Sequence, residues 1–385
     1  MLPATRFSIS LPTRVQFGDG QRTALVRHLP KAEGVVAFVR GQSGAASNEV
    51  SKDLRNHGFV LNEVICPKEP TVASVNNAVR SLEGLNVVAV VACGGGSVLD
   101  TGKALKLCLS AGVSLSDDLS NVPESVLERS WPLPLIAVPT TAGTGAEVTA
   151  NAVLGLPSAQ TKLSLRGLAL CPDVALVDPL LLQGAPVNVL LHAALDAVVQ
   201  SIEAFCSSHA TPFTDGLVAS NLELSLRAMR SVQDTNATGP RRNLAWTALC
   251  SGIALANGGL GAVHGLASVL GGRYDAPHGA LCGRLLAPVL RRNLAKTAPG
   301  SVNHVKIDHC VEAIGQVYPP HAGADELSGF EAWLAANNLP RLRAFGLRKQ
   351  DFEDISAKAI AASSSRKNPV TLEAEDFQII LDAAH

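Results

Sequence analysis

The stretch Val87–Lys103, with the sequence VVAVVACGGGSVLDTGK, decides the fold. Val87–Ala92 is uniformly apolar, as expected of a strand buried on both faces of a parallel sheet. Gly94-Gly95-Gly96-Ser97 follows, and Asp100 comes in a segment with helical character. A strand, a glycine turn and a helix N-terminus form a geometry that binds phosphate, because the backbone comes close and the helix dipole favours an anion. A tight turn without a ligand explains a glycine cluster about as well.

The surrounding sequence repeats this alternation of strands and helices. Val72–Leu82 has helical spacing, with its valines and Leu82 on one face. Further strand-like runs are Gly34–Val39, Phe59–Ile65, Leu135–Val138 and Val174–Val177. Strands separated by helical stretches predict a parallel, doubly wound sheet.

The sequence pattern changes after Asp178-Pro179, and strand-like runs are nearly absent beyond this point. Long Ala/Leu-rich stretches follow, at Val189–Cys206, Thr214–Met229 and Asn243–Leu260, and helical segments continue to Phe377–Ala384. A length of 385 residues suits two domains at about 100–200 residues each. We therefore predict an α/β fold with a Rossmann-type parallel-sheet domain over residues 1–180, followed by an all-helical domain over residues 181–385.

Composition excludes several classes of protein. Hydrophobic residues make up 47% of the chain, yet no apolar run approaches the ~20 residues of a membrane span. The net charge is −1 and basic residues are scattered, which argues against nucleic-acid binding. The N-terminus lacks the apolar core of a signal peptide. Eight cysteines without CxxC spacing favour reduced, buried thiols in a cytoplasmic protein.

A second loop strengthens the phosphate hypothesis. Pro139–Glu147, with the sequence PTTAGTGAE, follows the strand-like run Leu135–Val138 and supplies hydroxyl groups from Thr140, Thr141 and Thr144. Ligands of open α/β sheets bind at the carboxyl ends of the strands. Two such loops indicate one extended phosphorylated ligand, and their spacing differs from the GxGxxG fingerprint of ordinary Rossmann dehydrogenases.

GGGSVLDTGK and PTTAGTGAEVT resemble the signature segments of the group III, or iron-containing, alcohol dehydrogenases. The resemblance runs from Val15–Gly18 through Pro172–Pro179 to Asn368-Pro369. It implies a dehydroquinate-synthase-like fold, in which a Rossmann-type domain and a helical domain hold cofactor and metal in a cleft. It also implies hydride transfer between NAD(P)(H) and a small alcohol or its carbonyl, whose oxygen a divalent metal binds as a Lewis acid.

Four polar residues of the second half are candidate metal ligands. Asp196 and Gln200 are four residues apart in a helix-like stretch, which places them on one helix face. His264 and His278 follow later in the chain. One carboxylate and two imidazoles suit a first-row divalent metal, although either histidine alone is more often a satisfied polar residue.

The family resemblance implies Asp, a His four residues later and two further His as ligands. Asp196, His264 and His278 match, whereas Gln200 stands where a histidine is expected. Glutamine offers only an amide oxygen, which binds transition metals more weakly than imidazole. The similar glycerol dehydrogenase branch works with one Asp and two His around zinc, so the departure tilts the expectation from Fe2+ toward Zn2+. It also leaves open a site that holds metal poorly.

A second departure lies at Ser268, where the family often carries a proton-relaying histidine. A serine needs a bound water for that work. Val269–Gly272 and Pro277-His278 are similar to the maleylacetate reductase branch, which is considered metal-independent. A metal-independent keto-acid reductase is therefore the alternative reading.

The choice between NAD and NADP depends on the end of the second strand. NAD-preferring members carry an Asp there, which binds the ribose hydroxyls. Gly41 aligns with that position, and Arg40 and Ser43 are close in sequence. The missing carboxylate admits the 2′-phosphate, so we expect NADP to be favoured over NAD, unless Arg40 only points to solvent.

The resemblance also assigns further residues. Gly94, Gly95, Gly96 and Ser97 are expected at the pyrophosphate, and Thr140, Thr141 and Thr144 at the nicotinamide ribose. Asp100 and Lys162 match cofactor-contacting positions, Asn151 lies beside the substrate position, and Leu181 packs on the cofactor. Plain surface or packing roles explain the last four residues about as well.

Two further rivals belong to other classes. A lyase like dehydroquinate synthase shares the fold but needs a basic cluster for its anionic substrate, and few basic residues surround the metal motifs. A non-catalytic binding protein is compatible with Gln200 and Ser268 but not with two intact cofactor loops. The family resemblance implies a homodimer.

Overall fold

The computed structural model describes residues 6–42, 44–156, 161–234, 238–274 and 276–385. Within them, the strands are β1 Arg14–Phe17, β2 Val35–Gly41, β3 Val60–Cys66, β4 Val87–Gly94, β5 Leu135–Pro139, β6 Asn151–Leu156, β7 Thr161–Arg166 and β8 Val174–Val177. The first-half helices are α1 Leu25–His28, α2 Ala45–Asn56, α3 Val72–Ser81, α4 Gly96–Ala111 and α5 Glu124–Leu127.

The remaining helices occupy the second half of the chain. They are α6 Val187–Cys206, α7 Pro212–Ala219, α8 Leu222–Arg230, α9 Thr238–Gly258, α10 Ala262–Arg273, α11 His278–Lys296, α12 Val302–Val317, α13 Ser328–Ala336, α14 Phe352–Ala361 and α15 Ala374–Ala384. The predicted helix over Thr214–Met229 is wrong as one element. It is two helices, because α7 ends at Ala219 and Asn221 is the N-cap of α8, which begins at Leu222.

Six strands form one parallel sheet in the order β1-β8-β5-β4-β2-β3. The predicted parallel-sheet fold is thus confirmed, and all five predicted strands are present. Two features were missed: the short strand β1, which pairs with β8, and the antiparallel hairpin of β6 and β7. Chain connections leave β2 and β4 toward opposite edges of the sheet, so their carboxyl ends mark a topological switch point.

The sheet is buried on both faces. Phe38 and Val91 pack with α2 residues on one face, whereas Val39 and Ala92 pack with α3 and α4 residues on the other. All four side chains are fully buried. This accounts for the uniformly apolar strands, because each strand must present apolar side chains in both directions.

The chain divides into two compact units, which differ from the predicted segments 1–180 and 181–385. The sheet unit comprises Leu11–Pro186 and Asp234–Gly252, and the helical unit comprises the remaining described residues. Helix α9 passes from the sheet unit to the helical unit after Gly252. Residues 6–10 cluster with the helices, although they precede the first strand.

Helix α6 is the core helix of the helical unit, and it packs against α11, α8, α7 and α12. By length and composition, it is the one described helix that alone could cross a membrane, and 83% of its most apolar window is buried inside the protein. Helices α9 and α10 pass the same test only as a pair, which is bent by 103°. The burial of α6 accounts for its apolar composition, and its buried polar residues belong to the candidate site described next.

Candidate active site

The glycine loop connects β4 to α4 in the sheet unit. Strand β4 ends at Gly94, and α4 begins at Gly96 with Gly95 as its N-cap. A Cβ atom at Gly94 would lie 2.6 Å from the Cβ of Val98, so the turn has no room for a side chain there. The first turn of α4 carries no acidic residue, and Gly95 has no side chain to occupy the helix N-terminus. This end of α4 therefore suits an anionic group.

The second loop lies directly against the first. Thr140 donates its backbone N–H to the carbonyl of Gly94 at 3.0 Å. A Cβ atom at Gly95 would lie 3.1 Å from Oγ1 of Thr141, and one at Gly96 would lie 2.9 Å from Oγ1 of Thr144. The structure thus brings together the two loops that the sequence singled out, with the hydroxyls of Thr141 and Thr144 close to Gly95 and Gly96.

The end of β2 carries a paired charge cluster. Arg40 donates from Nε to Glu63 at 2.6 Å, and Arg55 donates to the other oxygen of Glu63 at 2.6 Å. These two guanidinium groups hold the pKa of Glu63 below its ordinary value. Arg40 is therefore engaged rather than free in solvent, and two arginines with one glutamate leave a net charge of +1 beside Gly41. Ser43 lies outside the described residues.

Asp100 and Lys162 have protein partners in the sheet unit. Asp100 accepts the backbone N–H of Val153 at 3.0 Å, and its other oxygen lies 3.7 Å from Nζ of Lys103. Burial raises the pKa of Asp100 in spite of Lys103. Lys162 pairs with Glu69 at 2.5 Å. Both residues tie the β6–β7 hairpin to the sheet unit, and their cofactor contacts stay predictions.

Asn151 and Leu181 also lie in the sheet unit. Asn151 begins β6 and donates from Nδ2 to the hydroxyl of Ser164 at 3.3 Å. Leu181 is 3% exposed and packs in the core cluster that contains Val138 and Leu176. The predicted contacts of Asn151 with substrate and of Leu181 with cofactor stay predictions.

The candidate metal ligands converge in the helical unit. Asp196 lies in α6, His264 in α10, and His278 is the first residue of α11. Nε2 of His264 lies 3.2 Å from Oδ1 of Asp196, and Nε2 of His278 lies 3.6 Å from the same oxygen. Ligands of one tetrahedral zinc ion, at bond lengths of about 2.0–2.1 Å, are separated by about 3.3–3.4 Å. These donors therefore fit one divalent ion.

The ionisable groups of this cluster shift one another's pKa values. Burial alone would raise the pKa of Asp196, but the hydrogen bond from His264 and the charge of His278 hold it below its ordinary value. Burial would lower the pKa of both histidines, yet the anionic groups around them raise it, most strongly for His264. Each group thus stabilises the charged form of its neighbours, whereas a bound metal would take the neutral imidazoles and stabilise the carboxylate of Asp196.

Glu203 is a functional candidate that the sequence reasoning missed. Its Oε2 lies 2.6 Å from Nδ1 of His264, and its Oε1 accepts the backbone N–H of Val263 at 2.7 Å. The carboxylate fixes the proton of His264 on Nδ1 and leaves Nε2 directed toward Asp196. An acidic residue seven positions after Asp196 in a largely apolar helix was the signal available in the sequence.

Cys282 is the second missed candidate. Its Sγ lies 3.7 Å from Oδ1 of Asp196 and 3.7 Å from Nε2 of His264. Four residues each offer one ligand atom to this cluster: Asp196, His264, His278 and Cys282. These four atoms lie within 4.8 Å of one another. Burial would raise the pKa of the Cys282 thiol, but His264 and His278 lower it. By contrast, burial raises the pKa of the Cys250 thiol to about 12.

Gln200 contacts the cluster through Asp196. Its Nε2 donates to Oδ2 of Asp196 at 3.0 Å, so the amide group faces the carboxylate as a donor. Ser268 is exposed on α10 and donates its hydroxyl to the carbonyl of Gly265 at 2.9 Å. The metal-ligand role of Gln200 and the proton-relay role of Ser268 stay predictions.

A close helix contact positions the ligands of α11. A Cβ atom at Gly279 would lie 1.8 Å from the carbonyl oxygen of His192 in α6, and one at Gly283 would lie 2.8 Å from the side chain of Leu195. These glycines, one turn apart, let α11 approach α6 closely. His278 and Cys282, each directly before one of them, therefore reach Asp196.

Two sequence models match nearly the whole chain. The model of the iron-containing alcohol dehydrogenases matches residues 12–179, and the model of the C-terminal part of the same family matches residues 190–385. These matches define the class of protein as a nicotinamide-dependent oxidoreductase that acts on alcohols and their carbonyl counterparts. The chain belongs to the iron-containing alcohol dehydrogenase family.

Individual relatives agree with this assignment. The NAD-dependent methanol dehydrogenase of Bacillus methanolicus is 30% identical over 355 residues, which cover 89% of each chain. The 1,3-propanediol dehydrogenase of Citrobacter freundii is 32% identical over 292 residues, 73% of this chain and 71% of that protein. The crystal structure of a 1,3-propanediol oxidoreductase has a TM-score of 0.85 at 24% identity and covers 99% of this chain and 100% of its own. The alternative of a metal-independent keto-acid reductase is not favoured by these relatives.

Proposed function

We propose that this protein interconverts a small aliphatic alcohol and its carbonyl compound, with NADP(H) favoured over NAD(H) and with Zn2+ or Fe2+ at Asp196, His264 and His278. The convergence of one carboxylate oxygen and two imidazole nitrogens, 3.2 and 3.6 Å apart, carries this proposal. Relatives named for methanol and 1,3-propanediol support a short substrate. When bound, the metal supplies Lewis acidity toward the substrate oxygen, and the nicotinamide gives or takes the hydride.

The side chains of the cluster divide the work of holding the metal. Asp196 contributes negative charge in a buried setting, and Glu203 keeps the lone pair of His264 Nε2 available. His278 is 38% exposed, whereas Asp196 and His264 are 5% and 6% exposed. We assign the side of His278 as the one that substrate approaches.

The sheet unit holds the cofactor in this proposal. Gly94, Gly95, Gly96 and Ser97 bind the pyrophosphate at the N-terminus of α4, because backbone N–H groups and the helix dipole favour anions there. Residues proposed along the nicotinamide side and the substrate are Thr140, Thr141, Thr144, Asp100, Lys162, Leu181 and Asn151. For Asp100, Lys162 and Leu181, the protein contacts described above also support a purely structural role.

Metal analysis combined with an activity assay tests the metal-dependent reaction. The purified protein is analysed for its elements, and NADPH oxidation is measured with a panel of short aldehydes before and after chelation. We expect about one zinc or iron per chain, with activity lost on chelation and restored by metal. A metal-free protein with intact activity would refute the Lewis-acid mechanism and favour the keto-acid reductase.

Cofactor choice is tested at Gly41. A Cβ atom there meets nothing within 4 Å, so Gly41→Asp and Gly41→Asn both fit the backbone. The aspartate places a negative charge where the 2′-phosphate of NADP is proposed, and such like-charge contact costs several kcal/mol. We expect kcat/KM with NADPH to fall by about 100-fold in Gly41→Asp and only a few-fold in Gly41→Asn. Equal effects of the two variants, or a wild type that prefers NADH, would overturn the NADP proposal.

We further propose a cytoplasmic homodimer without nucleic-acid or membrane partners. All eight cysteines are buried and free, which supports a reducing compartment. Light scattering on the purified protein measures the oligomeric state, and a monomeric mass would overturn the dimer.

A further inference from the structure

Cys282 belongs to the same cluster as the proposed metal ligands. It lies one helical turn after His278 in α11, so both side chains project from one face of the helix. Its side chain is fully buried, and its Sγ lies 3.7 Å from both Oδ1 of Asp196 and Nε2 of His264. The sulfur therefore faces two of the proposed ligand atoms directly.

The distances match a site with four protein ligands. Oδ1 of Asp196 lies 3.2 Å from His264, 3.6 Å from His278 and 3.7 Å from Cys282. Bond lengths of about 2.0–2.2 Å for oxygen and nitrogen and about 2.3 Å for sulfur give ligand separations of about 3.3–3.7 Å in a tetrahedral site. The three separations from Oδ1 of Asp196 agree with that arrangement, and all four donor atoms lie within 4.8 Å of one another.

The two oxygens of Asp196 have separate partners. Oδ1 faces His264, His278 and Cys282, whereas Oδ2 accepts the hydrogen bond of Gln200 at 3.0 Å. The amide of Gln200 thus orients the carboxylate from the side opposite the cluster. This arrangement makes Gln200 a positioning residue and leaves the fourth ligand place to Cys282.

A buried cysteine is ordinarily a small apolar residue. Cys93 fits that description, because it packs in the apolar core beside the sheet. Cys206 and Cys310 face each other at 3.9 Å between their sulfur atoms. Cys282 differs, because its sulfur is surrounded by a carboxylate oxygen and imidazole nitrogens.

We propose that Cys282 is the fourth metal ligand and that Asp196, His264, His278 and Cys282 form a zinc-selective set, to which the substrate oxygen would add as a fifth ligand. This inference rests on the metal site of the proposed function. A thiolate is a soft ligand that favours zinc over harder metals. Two anionic ligands also balance the charge of a divalent cation, which lowers the cost of burying it.

Spectroscopy on the wild-type protein tests this ligand directly. The protein is stripped of metal and loaded with Co2+, and the Zn2+ form is measured by X-ray absorption. We expect a sulfur-to-cobalt charge-transfer band in the near ultraviolet and one sulfur neighbour at about 2.3 Å from zinc. A fully loaded protein without either sulfur signal overturns the inference.

Two matched cysteine variants test which cysteine supplies the sulfur ligand. Cys282→Ala is compared with Cys310→Ala, which removes another fully buried cysteine of the helical unit. We expect the cobalt band to disappear only in Cys282→Ala. Zinc affinity, measured by competition with a chelator, should fall there by about 100-fold or more, since even outer partners of a metal ligand are worth about 10–100-fold. A band that persists in Cys282→Ala contradicts the inference.

Metal stoichiometry separates the two proposals. If the wild type binds no metal, both the proposed metal site and the cysteine ligand fail. If it binds about one metal per chain, which His278→Ala loses and Cys282→Ala retains with unchanged affinity, only the cysteine ligand fails. These outcomes do not depend on catalytic activity.

Discussion

The candidate sites of the sheet unit and of the helical unit consist of different kinds of chemical group. In the sheet unit, the site consists of backbone and small side chains at the ends of two neighbouring strands, where Gly94 pairs with Pro139. In the helical unit, the site consists of large polar side chains from three helices, and Asp196 is 86 residues away from Cys282. The first site is made of two short loops, each contiguous in sequence, whereas the second exists only after α6, α10 and α11 have packed.

This contrast predicts different sensitivities. A backbone-built site depends on space, so an added methyl group disturbs it although no charge changes. A site built from side chains depends on charge and donor identity, so an isosteric substitution that removes a charge disturbs it although the volume is unchanged. Substitutions in the site of the sheet unit should therefore change cofactor binding but not metal content, and substitutions in the site of the helical unit should do the reverse.

The largest effect is expected from Asp196→Asn. The substitution keeps the shape of the side chain but removes the negative charge between His264 and His278. We expect metal content to fall well below one per chain and kcat/KM to fall by at least about 1000-fold, because the Lewis acid is worth several kcal/mol. Cofactor affinity, measured by fluorescence titration of NADPH, should stay within about 3-fold of the wild type.

Asp376→Asn is the control for burial of a carboxylate. Asp376 is 1% exposed in the helical unit and pairs with Arg292 and Lys296. Its substitution should lower the free energy of unfolding and leave the metal content of the folded protein unchanged. Full metal occupancy in Asp196→Asn, or metal loss in Asp376→Asn, would break the assignment of the site.

A smaller effect is expected from Glu203→Gln. The glutamine keeps an oxygen that accepts from Nδ1 of His264 but removes the charge that strengthens this histidine as a ligand. We expect metal affinity to fall by about 10–100-fold and activity to recover at excess metal. Unchanged affinity in a chelator competition would show that Glu203 serves only to hold Val263 and the start of α10.

The sheet unit is tested by Gly94→Ala. Its new methyl group would lie 2.6 Å from Cβ of Val98, which forces the glycine turn to shift. We expect KM for NADPH to rise about 10-fold and the free energy of unfolding to fall by about 1–3 kcal/mol, with metal content unchanged. Gly216→Ala in α7 is the control, because a Cβ atom there meets nothing within 4 Å. Metal loss in Gly94→Ala would contradict the separation of the two sites.

The same contrast between local loops and packed helices explains which features could be predicted from the sequence. The buried strands and the glycine turn at Gly94–Gly96 are local patterns, so the parallel sheet and the two candidate loops at its strand ends followed from them. Strand β1 was missed because it has four residues and alternates in polarity. The β6–β7 hairpin was missed because it lies outside the main sheet, so its strands lack the uniformly apolar pattern of strands buried on both faces.

The sequence predicted only those residues of the metal cluster that matched the ligand pattern of the resembled family. Asp196, His264 and His278 converge, but Glu203 and Cys282 carried no motif of their own. The four-residue spacing of His278 and Cys282 was visible in the sequence, yet eight cysteines gave no reason to prefer one. Only the close approach of α11 to α6, which Gly279 and Gly283 permit, determines which sulfur meets the histidines.

The smallest effect is expected from Ser268→Ala, which tests the helical unit at its exposed edge. The hydroxyl of Ser268 donates to the carbonyl of Gly265 and keeps its lone pairs free to accept from a water molecule. A serine has no pKa near neutrality, so it can only hold a water that moves the proton. General acid–base groups contribute about 100-fold or more, whereas this supporting role should reduce kcat by about 2–5-fold.

Ser268→His is the matched variant, since it places an imidazole on the same exposed turn. If proton transfer through this position limits the reaction, Ser268→His should raise kcat near neutral pH and add a histidine ionisation to the pH profile of kcat. Identical profiles for wild type, Ser268→Ala and Ser268→His would remove Ser268 from the proton path. Metal content should be equal in all three proteins, because Ser268 is not a donor in the cluster, and a change there would show that the turn after His264 also positions the ligands.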